Sequence, residues 1–335
     1  MIEKPTLQHV ADLAGVSLAS ASRALAGQTA SPATVKKVRF AAKKLGYVPD
    51  STARSLRFGG TRQVVFAVDD IGNPNYVEML RAIEQEIGSV GYRLNVTATG
   101  RDIRSVMSLV RSLTGGFGDG LIISPLRVNA ELRRALQESS IPVVVIGRLD
   151  ADAAIDRVGV DSAQALELAV DHLFELGKRR IAFVNGPLDT NPGSARRRGF
   201  LAASERLGLA VDEQLIVQAS DFTAGAGKAA TEILLARTEF DAIVGANDLI
   251  AMGAISACVA AGVDVPGHVA VTGMDDTEIA SIYNPPLTSV SLLAAERGRL
   301  AARLLLQRFA DPARAPETLT VNPFLTIRES STVKD

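Results

Sequence analysis

Apolar residues recur at helical spacing through the first 45 residues, and polar residues suited to helix ends interrupt them. Ser17 and Ser31 precede two of these runs, where a hydroxyl can accept a hydrogen bond from the first helical turn. Pro32 fits the first position of the third run, because that position needs no backbone N–H. Gly46 is suited to end the same run. The pattern predicts three short helices at residues 6–13, 18–25 and 32–45.

From Gln63 onward, short β-branched runs alternate with amphipathic helices. Strands are predicted at residues 64–68, 94–97, 120–124, 143–147, 181–185, 242–246 and 269–273, with another near Ile216 and a first helix at 75–90. Continuous apolar strands separated by helices are typical of parallel sheets covered on both faces. Because about 270 residues exceed one comfortable core, we predict two lobes with a ligand cleft between them.

The composition is that of a globular protein and excludes several other classes. The chain has 335 residues, 47% of them hydrophobic, and no run approaches the ~18 apolar residues of a membrane span. The N-terminus has no basic segment followed by an apolar run, so we expect a cytoplasmic protein with no membrane partner. Cys258 is the single cysteine and lies in an apolar helical run. We expect it in the core, since one cysteine provides neither a disulfide framework nor a cysteine metal site within one chain.

The near-neutral total charge conceals an uneven distribution. Residues 1–60 contain nine Lys and Arg against three acids, a net charge of +6, whereas the remainder contains 27 against 34, a net charge of −7. A basic module on an acidic body is typical of proteins that bind the phosphate backbone of nucleic acids. A basic surface that is simply exposed to solvent and binds no nucleic acid would have the same charge, so charge alone does not separate the two interpretations.

The segment from Thr6 to Ser17 has small residues where two helices must cross closely and a glycine in the turn between them, as helix-turn-helix motifs do. The second helix presents Leu18, Ala19, Ser22 and Arg23 near its N-terminal end and along one face. Arg23 can donate two hydrogen bonds to guanine, and the apolar residues can contact thymine methyl groups. Taken alone, these features fit a DNA reader and a three-helix core-packing motif about equally well.

Residues 6–61 resemble the signature of the lactose-repressor (LacI/GalR) family of transcription regulators. The matching segments are the helix-turn-helix opening, Ser22-Arg23-Ala24-Leu25, Ser31 with Thr34, Leu45-Gly46-Tyr47-Val48-Pro49 and Ala53-Arg54-Ser55-Leu56-Arg57. The resemblance implies DNA contacts from Thr6, Leu18, Ala19, Ser20, Ser22, Arg23, Thr34, Ala53 and Leu56. Ser20-Ala21-Ser22 departs from the family's usual Thr-Val-Ser, so Ser20 alone supplies a hydroxyl where a threonine contact is expected.

By the same resemblance, residues 51–58 form a hinge helix that folds on the operator and inserts a leucine into the minor groove. Ala53 and Leu56 share one helical face, and a leucine wedge with small neighbours can part stacked bases and bend the duplex. A helix this short is not stable by itself. Contacts within the dimer and with DNA can therefore order it, and a shift between the lobes can unfold it. The alternative is an inert linker with Leu56 packed on its own domain.

The remaining chain resembles the periplasmic sugar-binding-protein fold that the same family uses to sense small molecules. Polar and aromatic residues follow several predicted strands, at the carboxyl edge where open α/β sheets bind ligands. Sugar recognition needs donors and acceptors around hydroxyl groups and an aromatic face against the ring. The predicted effector-binding residues are Asn73, Asn75, Tyr76, Arg148, Arg196, Phe222, Asn247 and Asp275, of which Arg196, Asn247 and Asp275 match the family's ligand positions most directly. Structural roles are the alternative, with Asn73 and Asp248 as helix caps, Arg148 in an ion pair and Tyr76 in the core.

Two positions depart from the family's pattern at this site. Asn75 stands where sugar sensors often have an aromatic residue, and Leu292 where a glutamine often reaches the ligand. These departures point to an effector other than a common pentose or hexose. We further expect Arg196 and Asp275 to face each other from opposing strand ends of the cleft.

Enzyme motifs are incomplete throughout the sequence. The run Gly225-Ala226-Gly227-Lys228 lacks the third glycine of a dinucleotide fingerprint and the Ser or Thr of a phosphate-binding loop, and is interpreted as a helix start. The three histidines, His9, His172 and His268, show no metal spacing. Asp275 and Asp276 are neighbours on one loop, which disfavours paired acid and base catalysis. We predict no enzymatic activity, no cofactor and no metal.

The sequence thus predicts an α/β protein with an N-terminal all-α helix-turn-helix head and a two-lobed periplasmic-binding-protein-like domain of doubly wound parallel sheets. The predicted divisions are a DNA-binding domain at 1–50, a hinge helix and linker at 51–60 and an effector-binding and dimerisation domain at 61–335. The chain is expected to bind a palindromic operator in double-stranded DNA. A homodimer is expected because the sequence stops at Asp335 without the C-terminal leucine heptad of the family's tetramers. A sugar, polyol or nucleoside would control it. We expect a repressor, although the sequence also fits activation at some promoters. It fits an effector that induces and one that co-represses equally well. A transport binding protein, opposed by the basic head, and a nucleotide-dependent oxidoreductase are the rival classes.

Overall fold

The computed structural model describes residues 5–26, 29–47, 60–149 and 153–332. Its contacts divide the chain into two compact units, Met1–Thr61 and Arg62–Asp335. The first unit contains three helices, α1 (Leu7–Ala14), α2 (Leu18–Leu25) and α3 (Pro32–Leu45). These helices agree with the predicted ones to within one residue.

Side-chain caps and glycines set the limits of these three helices. The hydroxyls of Thr6, Ser17 and Ser31 each accept a hydrogen bond from a backbone N–H of the first turn that follows, which satisfies a group left free at a helix start. Gly15 and Gly46 both adopt φ +66°, a left-handed conformation that costs glycine little. The core between the helices is mostly alanine and valine, so the short helices can cross closely.

The second unit contains two six-stranded sheets. The first sheet has the order β11-β5-β4-β3-β1-β2 and is parallel throughout. Its strands are β1 (Gln63–Val68), β2 (Arg93–Ala98), β3 (Gly120–Ser124), β4 (Val143–Ile146), β5 (Asp156–Val160) and β11 (Thr318–Val321). The second sheet has the order β12-β10-β9-β8-β6-β7, with only the edge strand β12 antiparallel. Its strands are β6 (Ile181–Asn185), β7 (Ile216–Gln218), β8 (Ala242–Gly245), β9 (Ala270–Asp275), β10 (Thr288–Ser291) and β12 (Phe324–Thr326).

Helices cover both faces of each sheet, and their buried side chains form the cores. They are α4 (Pro74–Ser89), α5 (Ile103–Ser112), α6 (Ala130–Gln137), α7 (Ser162–Glu175), α8 (Asn191–Arg206), α9 (Ala224–Arg237), α10 (Asp248–Ala260), α11 (Glu278–Ile282) and α12 (Ala294–Ala310). A π-helical turn follows α5 at Leu113–Phe117, and a 3₁₀ turn precedes β7 at Glu213–Leu215. The run around Gly227 is a helix start, as predicted, because α9 begins at Ala224 on the Thr223 cap.

The chain passes between the two sheets three times, after β5, after β10 and after β11. We name residues 62–160 and 294–321 the first lobe, and residues 162–291 and 324–332 the second lobe. α12 returns the chain to the first lobe and packs along α4, where a Cβ on Gly298 would lie 2.6 Å from the Met79 carbonyl oxygen. Because only hydrogen fits there, Gly298 lets the returning helix approach closely.

The predicted two-lobed α/β architecture is therefore present, and the predicted strands fall on β1 to β4 and β6 to β9. The prediction missed β5, β10, β11 and β12. Cys258 is fully buried, as expected. No helix within the described ranges is long and apolar enough to cross a bilayer.

Candidate functional site

The carboxyl ends of strands from both sheets meet at a cleft between the lobes. The cleft holds a cavity of about 600 Å³ and, next to it, a smaller one of about 50 Å³, and the two share Tyr76, Arg196 and three other residues. The larger volume lies within the range of about 300–1,000 Å³ usual for small-molecule sites. All eight residues predicted to bind an effector line one cavity or both.

The wall from the first lobe is built around the start of α4. Asn73 caps this helix by accepting a hydrogen bond from the Asn75 N–H, so the capping role considered for it is present. Tyr76 is buried within the lobe's core and also faces both cavities, and burial raises the pKa of its hydroxyl. Arg148 follows β4 and is exposed at the larger cavity. Residues that stabilise the lobe therefore also form the surface that faces the cavities.

The wall from the second lobe combines an aromatic ring with polar groups. Phe222 packs in the core beside Gly186, where a Cβ would lie 2.2 Å from the ring, so glycine makes room for the aromatic side chain. Arg196 lies over the same ring, with its guanidinium carbon 5.8 Å from the centroid. Asn247 caps α10 and donates to the Phe222 carbonyl oxygen at 3.1 Å. These contacts fix an aromatic face and an amide side by side.

Asp275 ends β9 with its carboxylate in the smaller cavity. The carboxylate is buried, and its Oδ1 atom has no hydrogen-bond partner among the described residues. Burial raises the pKa of Asp275, and the positive charges of Arg196 and Arg297 oppose that rise. Its backbone adopts φ 121°, a conformation that costs a non-glycine residue roughly 1–3 kcal/mol. A strained, buried and unsatisfied carboxylate in a cleft is a strong candidate for ligand binding.

Two details differ from the expectations. Arg196 and Asp275 do not face each other from opposing walls, because α8 follows β6, which belongs to the same sheet as β9. Asn247, not Asp248, caps α10. The Asp248 carboxylate instead accepts hydrogen bonds from the Thr277 N–H and hydroxyl, both at 2.8 Å, and from Ser289 at 2.5 Å.

The sequence interpretation missed Arg297 and Asp69. Arg297 lies on the buried face of α12, where its neighbours are mainly small apolar residues. Its Nη2 atom donates a hydrogen bond to Asn75 Oδ1 at 3.3 Å. A single arginine on the apolar face of a helix was the available signal. Asp69 follows β1 in the smaller cavity, and burial raises its pKa to about 6. No group of side chains suited to a metal ion occurs in the part of the chain that the structure describes.

Polar contacts join the lobes around the cavities. Arg127 of the first lobe forms a two-point ion pair with Asp189 of the second, at 2.7 and 3.1 Å. Arg101 and Asp221 form another, and the Asn191 N–H donates to the Leu126 carbonyl oxygen at 2.8 Å. These contacts connect the two lobes beside the cavities.

In the first unit, α2 presents the predicted DNA-reading face to solvent. Leu18 is 42% exposed, Ala19 and Arg23 are also exposed, and Ala21 and Ala24 form the buried face. Ser20 and Ser22 are half-buried beside them. Thr6 is exposed and caps α1, while the Thr34 hydroxyl lies 2.9 Å from that of Ser31. Ala53 and Leu56 lie outside the described residues.

Comparison with known protein families identifies both units. The family described as bacterial regulatory proteins, lacI family, matches residues 6–50. The periplasmic binding protein-like domain matches residues 170–331. The two matches correspond to the helical head and to most of the two-lobed domain.

Whole-length relatives share the same organisation. The HTH-type transcriptional regulator CelR of Thermobifida fusca is 35% identical, with 98% of each chain covered. The ribose operon repressor of Escherichia coli (strain K12) is 32% identical and covers 97% of this chain and 99% of its own.

Solved structures agree with these relatives. A CelR–cellobiose complex is 34% identical with a TM-score of 0.74 over 98% of this chain and 100% of that one. The lac repressor dimer bound to operator and the anti-inducer ONPF is 25% identical, with a TM-score of 0.85 over 99% and 100%. With relatives above 30% identity over nearly its whole length, this chain belongs to the LacI family of bacterial regulatory proteins.

Proposed function

We propose that the protein is a dimeric transcription regulator that binds a palindromic operator and is controlled by a small polar effector in the cleft. The observation that carries this proposal is that one chain has both an exposed helix-turn-helix face in a basic segment and a cleft in which buried polar atoms lack hydrogen-bond partners among the described residues. Such a protein would act in the cytoplasm and catalyse no reaction. Repression is the favoured outcome of operator binding.

Three relatives support the separate parts of this proposal. The lac repressor structure contains a dimer on its operator, the CelR structure contains cellobiose, and the ribose operon repressor is named for repression. By analogy, residues 1–50 would read DNA, 51–60 would form the hinge with Leu56 as a minor-groove wedge, and 61–335 would bind effector and dimerise. Thr6, Leu18, Ala19, Ser20, Ser22, Arg23, Thr34 and Ala53 would complete the DNA contacts.

Selection from random-sequence DNA, followed by binding measurements, tests the DNA reader. We expect a palindromic site, and Arg23→Ala should weaken preference at one base of each half-site by about 1–3 kcal/mol, the usual scale for one base contact. Lys36→Ala provides the matched control, since losing an exposed phosphate-binding lysine should weaken all sequences alike and reduce the salt dependence. An unchanged base preference in Arg23→Ala would show that α2 is not the recognition helix.

Calorimetry tests the link between the cleft and the DNA head. Coupling between two binding sites is reciprocal, so the affinity for an effector should differ with and without operator. Arg196→Ala and Asp275→Ala should still bind the operator in one ligand state and lose the response to effector. Equal effector affinity in both conditions, in a protein that binds both ligands, would contradict the proposed regulation.

A further inference from the structure

Arg297 occupies a position in α12 where a charged side chain costs stability. The side chain is 6% exposed, and the neighbouring buried positions of the helix are small apolar residues such as Ala294 and Ala301. Its Nη2 donates to Asn75, but its buried Nε has no partner among the described residues. Burial lowers the pKa of Arg297 to about 10, so the side chain remains positively charged at neutral pH. The chain therefore keeps an incompletely satisfied cation inside the cleft.

Arg196 places a second buried cation on the other wall. It is also 6% exposed, and its Nε likewise lacks a hydrogen-bond partner in the part of the chain described. The charge of Arg196 lowers the pKa of Arg297, which shows that the two guanidinium groups repel each other. Asp275 and, to a smaller extent, Glu78 are the carboxylates whose negative charges act on Arg297. Neither arginine forms an ion pair within the described ranges.

The charges are distributed unequally between the two cavities. Four arginines, Arg148, Arg157, Arg196 and Arg297, line the larger cavity, and Asp161 is the acidic residue that lines it within the described ranges. The Asp161 carboxylate accepts hydrogen bonds from two backbone N–H groups at the start of α7, so it already serves as a helix cap. The smaller cavity contains four aspartates, Asp69, Asp70, Asp221 and Asp275, beside Arg196, which lines both cavities. A ligand that spans both cavities meets cations at one end and carboxylates at the other.

We infer that the effector is a polyhydroxylated anion, a sugar acid or a sugar phosphate, whose anionic group binds Arg196 and Arg297 while its hydroxyls face Asp275. This inference rests on the proposed effector site and specifies its ligand class. A carboxylate or phosphate accepts charge-assisted hydrogen bonds from guanidinium groups. Among the described residues, a neutral sugar would leave the two buried arginines with one buried carboxylate, Asp275, that acts on both, and a bound anion would supply the second counter-charge.

Matched ligand pairs on the full-length protein test the inference. Thermal shift and calorimetry would compare gluconate and glucuronate, then glucose 6-phosphate, with neutral glucose and sorbitol, and would extend to the corresponding galactose and pentose compounds. Acetate and inorganic phosphate serve as anions without a polyol. We expect at least one polyhydroxylated anion to bind about 30-fold or more tightly than its neutral counterpart, the effect of one buried charge pair. Comparison of the sugar acids with the sugar phosphate identifies which anionic group the site accepts.

Two variants on the same helix separate a specific contact from general electrostatics. Arg297→Met should remove most of the preference for the anion, whereas Arg303→Met, which removes an exposed arginine paired with Glu86, should retain it. Operator binding, measured on the same preparations, identifies a misfolded variant; Arg297→Gln then replaces Arg297→Met.

Three outcomes would overturn the inference. One is equal binding of acid and neutral counterpart, another is no binding of any polyhydroxylated anion in the panel, and the third is equal effects from acetate or phosphate alone. A neutral sugar that releases the operator would refute the anionic effector and leave the proposed regulation intact. Failure to bind any DNA site would refute the proposed function independently.

Discussion

Two clusters of buried charge in the same domain are built in opposite ways. In the first lobe, Asp156 is buried at the start of β5 and accepts hydrogen bonds from Arg308 at 3.0 Å and from the Glu317 N–H at 2.8 Å. The Nη1 atom of Arg314 lies 3.8 Å from the same carboxylate and has no hydrogen-bond partner among the described residues, so Asp156 and Arg308 are the members of this cluster whose charges are satisfied. In the cleft, Asp275 and the two arginines Arg196 and Arg297 are as deeply buried, yet each has an atom without a hydrogen bond among the described residues.

The difference distinguishes a structural use of charge from a binding use. Arg308 also donates to the carbonyl oxygens of Pro312 and Ala315, both at 3.3 Å, so the Asp156 cluster fixes the loop between α12 and β11. A buried charge contributes to structure only when its partners satisfy it. The cleft cluster is instead left incomplete, which lowers stability and, under the proposed function, leaves groups available to a ligand. The comparison predicts opposite responses to mutation.

Removal of the Asp156 carboxylate should have the largest effect. Asp156→Ala leaves Arg308 without its buried partner and frees the Glu317 N–H, so we expect the free energy of unfolding to fall by about 3–5 kcal/mol. Urea unfolding followed by circular dichroism measures this change. Glu138→Ala is the control, because its pair with Arg134 is exposed and should contribute at most about 0.5 kcal/mol. A similar small loss in both variants would remove the contrast between the clusters.

Arg297→Met should change stability in the opposite direction. Methionine fills a similar volume without a charge, so the ligand-free protein should gain about 1–2 kcal/mol of unfolding free energy. The same unfolding measurement, made in buffer without polyols or multivalent anions, tests it. A loss as large as that of Asp156→Ala would mean that Arg297 stabilises the fold, and the two clusters would then be equivalent.

Whether a helix or strand could be predicted from the sequence depended on how far apart along the chain the residues that define it lie. The helices of the head agree with prediction because their limits are local, set by Ser17, Ser31 and Gly46 a few residues away. The missed strands are only three to five residues long. β5 carries Asp156 and Arg157, and β10 is Thr288 to Ser291, so neither shows a continuous apolar run. Pairing with neighbouring strands defines them, and a linear sequence does not show that pairing.

In the cleft, too, the residues placed by local sequence patterns were predicted and those placed by long-range contacts were missed. All eight predicted residues line it, because most follow a strand or begin a helix, positions that periodicity locates. Their contact with an effector stays a prediction. Arg297 was missed because it lies within a helix, 222 residues from its partner Asn75, and reaches the cleft only when the chain crosses back to the first lobe. The expected opposition of Arg196 and Asp275 was wrong, since strand order alone decides which wall a residue joins.

The acidic end of the cleft extends the comparison to pH. Burial raises the pKa of Asp69 from 3.8 to about 6, with smaller and partly opposing effects from Arg127 and Asp221. Between these two values the folded protein retains a proton that the unfolded chain has lost, so this group makes the protein less stable as pH rises across the interval. The full shift corresponds to about 3 kcal/mol, which half-burial and solvent screening reduce to about 1 kcal/mol.

Asp69→Asn should therefore become more stable relative to the natural protein as pH rises from about 4 to about 6.5, by about 1 kcal/mol. Urea unfolding at several pH values measures the difference. Asp189→Asn is the control of opposite sign, because hydrogen bonding to Arg127 lowers the pKa of Asp189. The natural carboxylate then contributes stability that is present above the unfolded pKa of 3.8 and is lost as pH falls below it. This variant should therefore lose relative stability as pH rises through the range below about 4 and stay nearly level from there to about 6.5. If the relative stability of the two variants changed with pH in the same way, burial would not raise the pKa of Asp69. The acidic end of the cleft would then be as well satisfied as the Asp156 cluster.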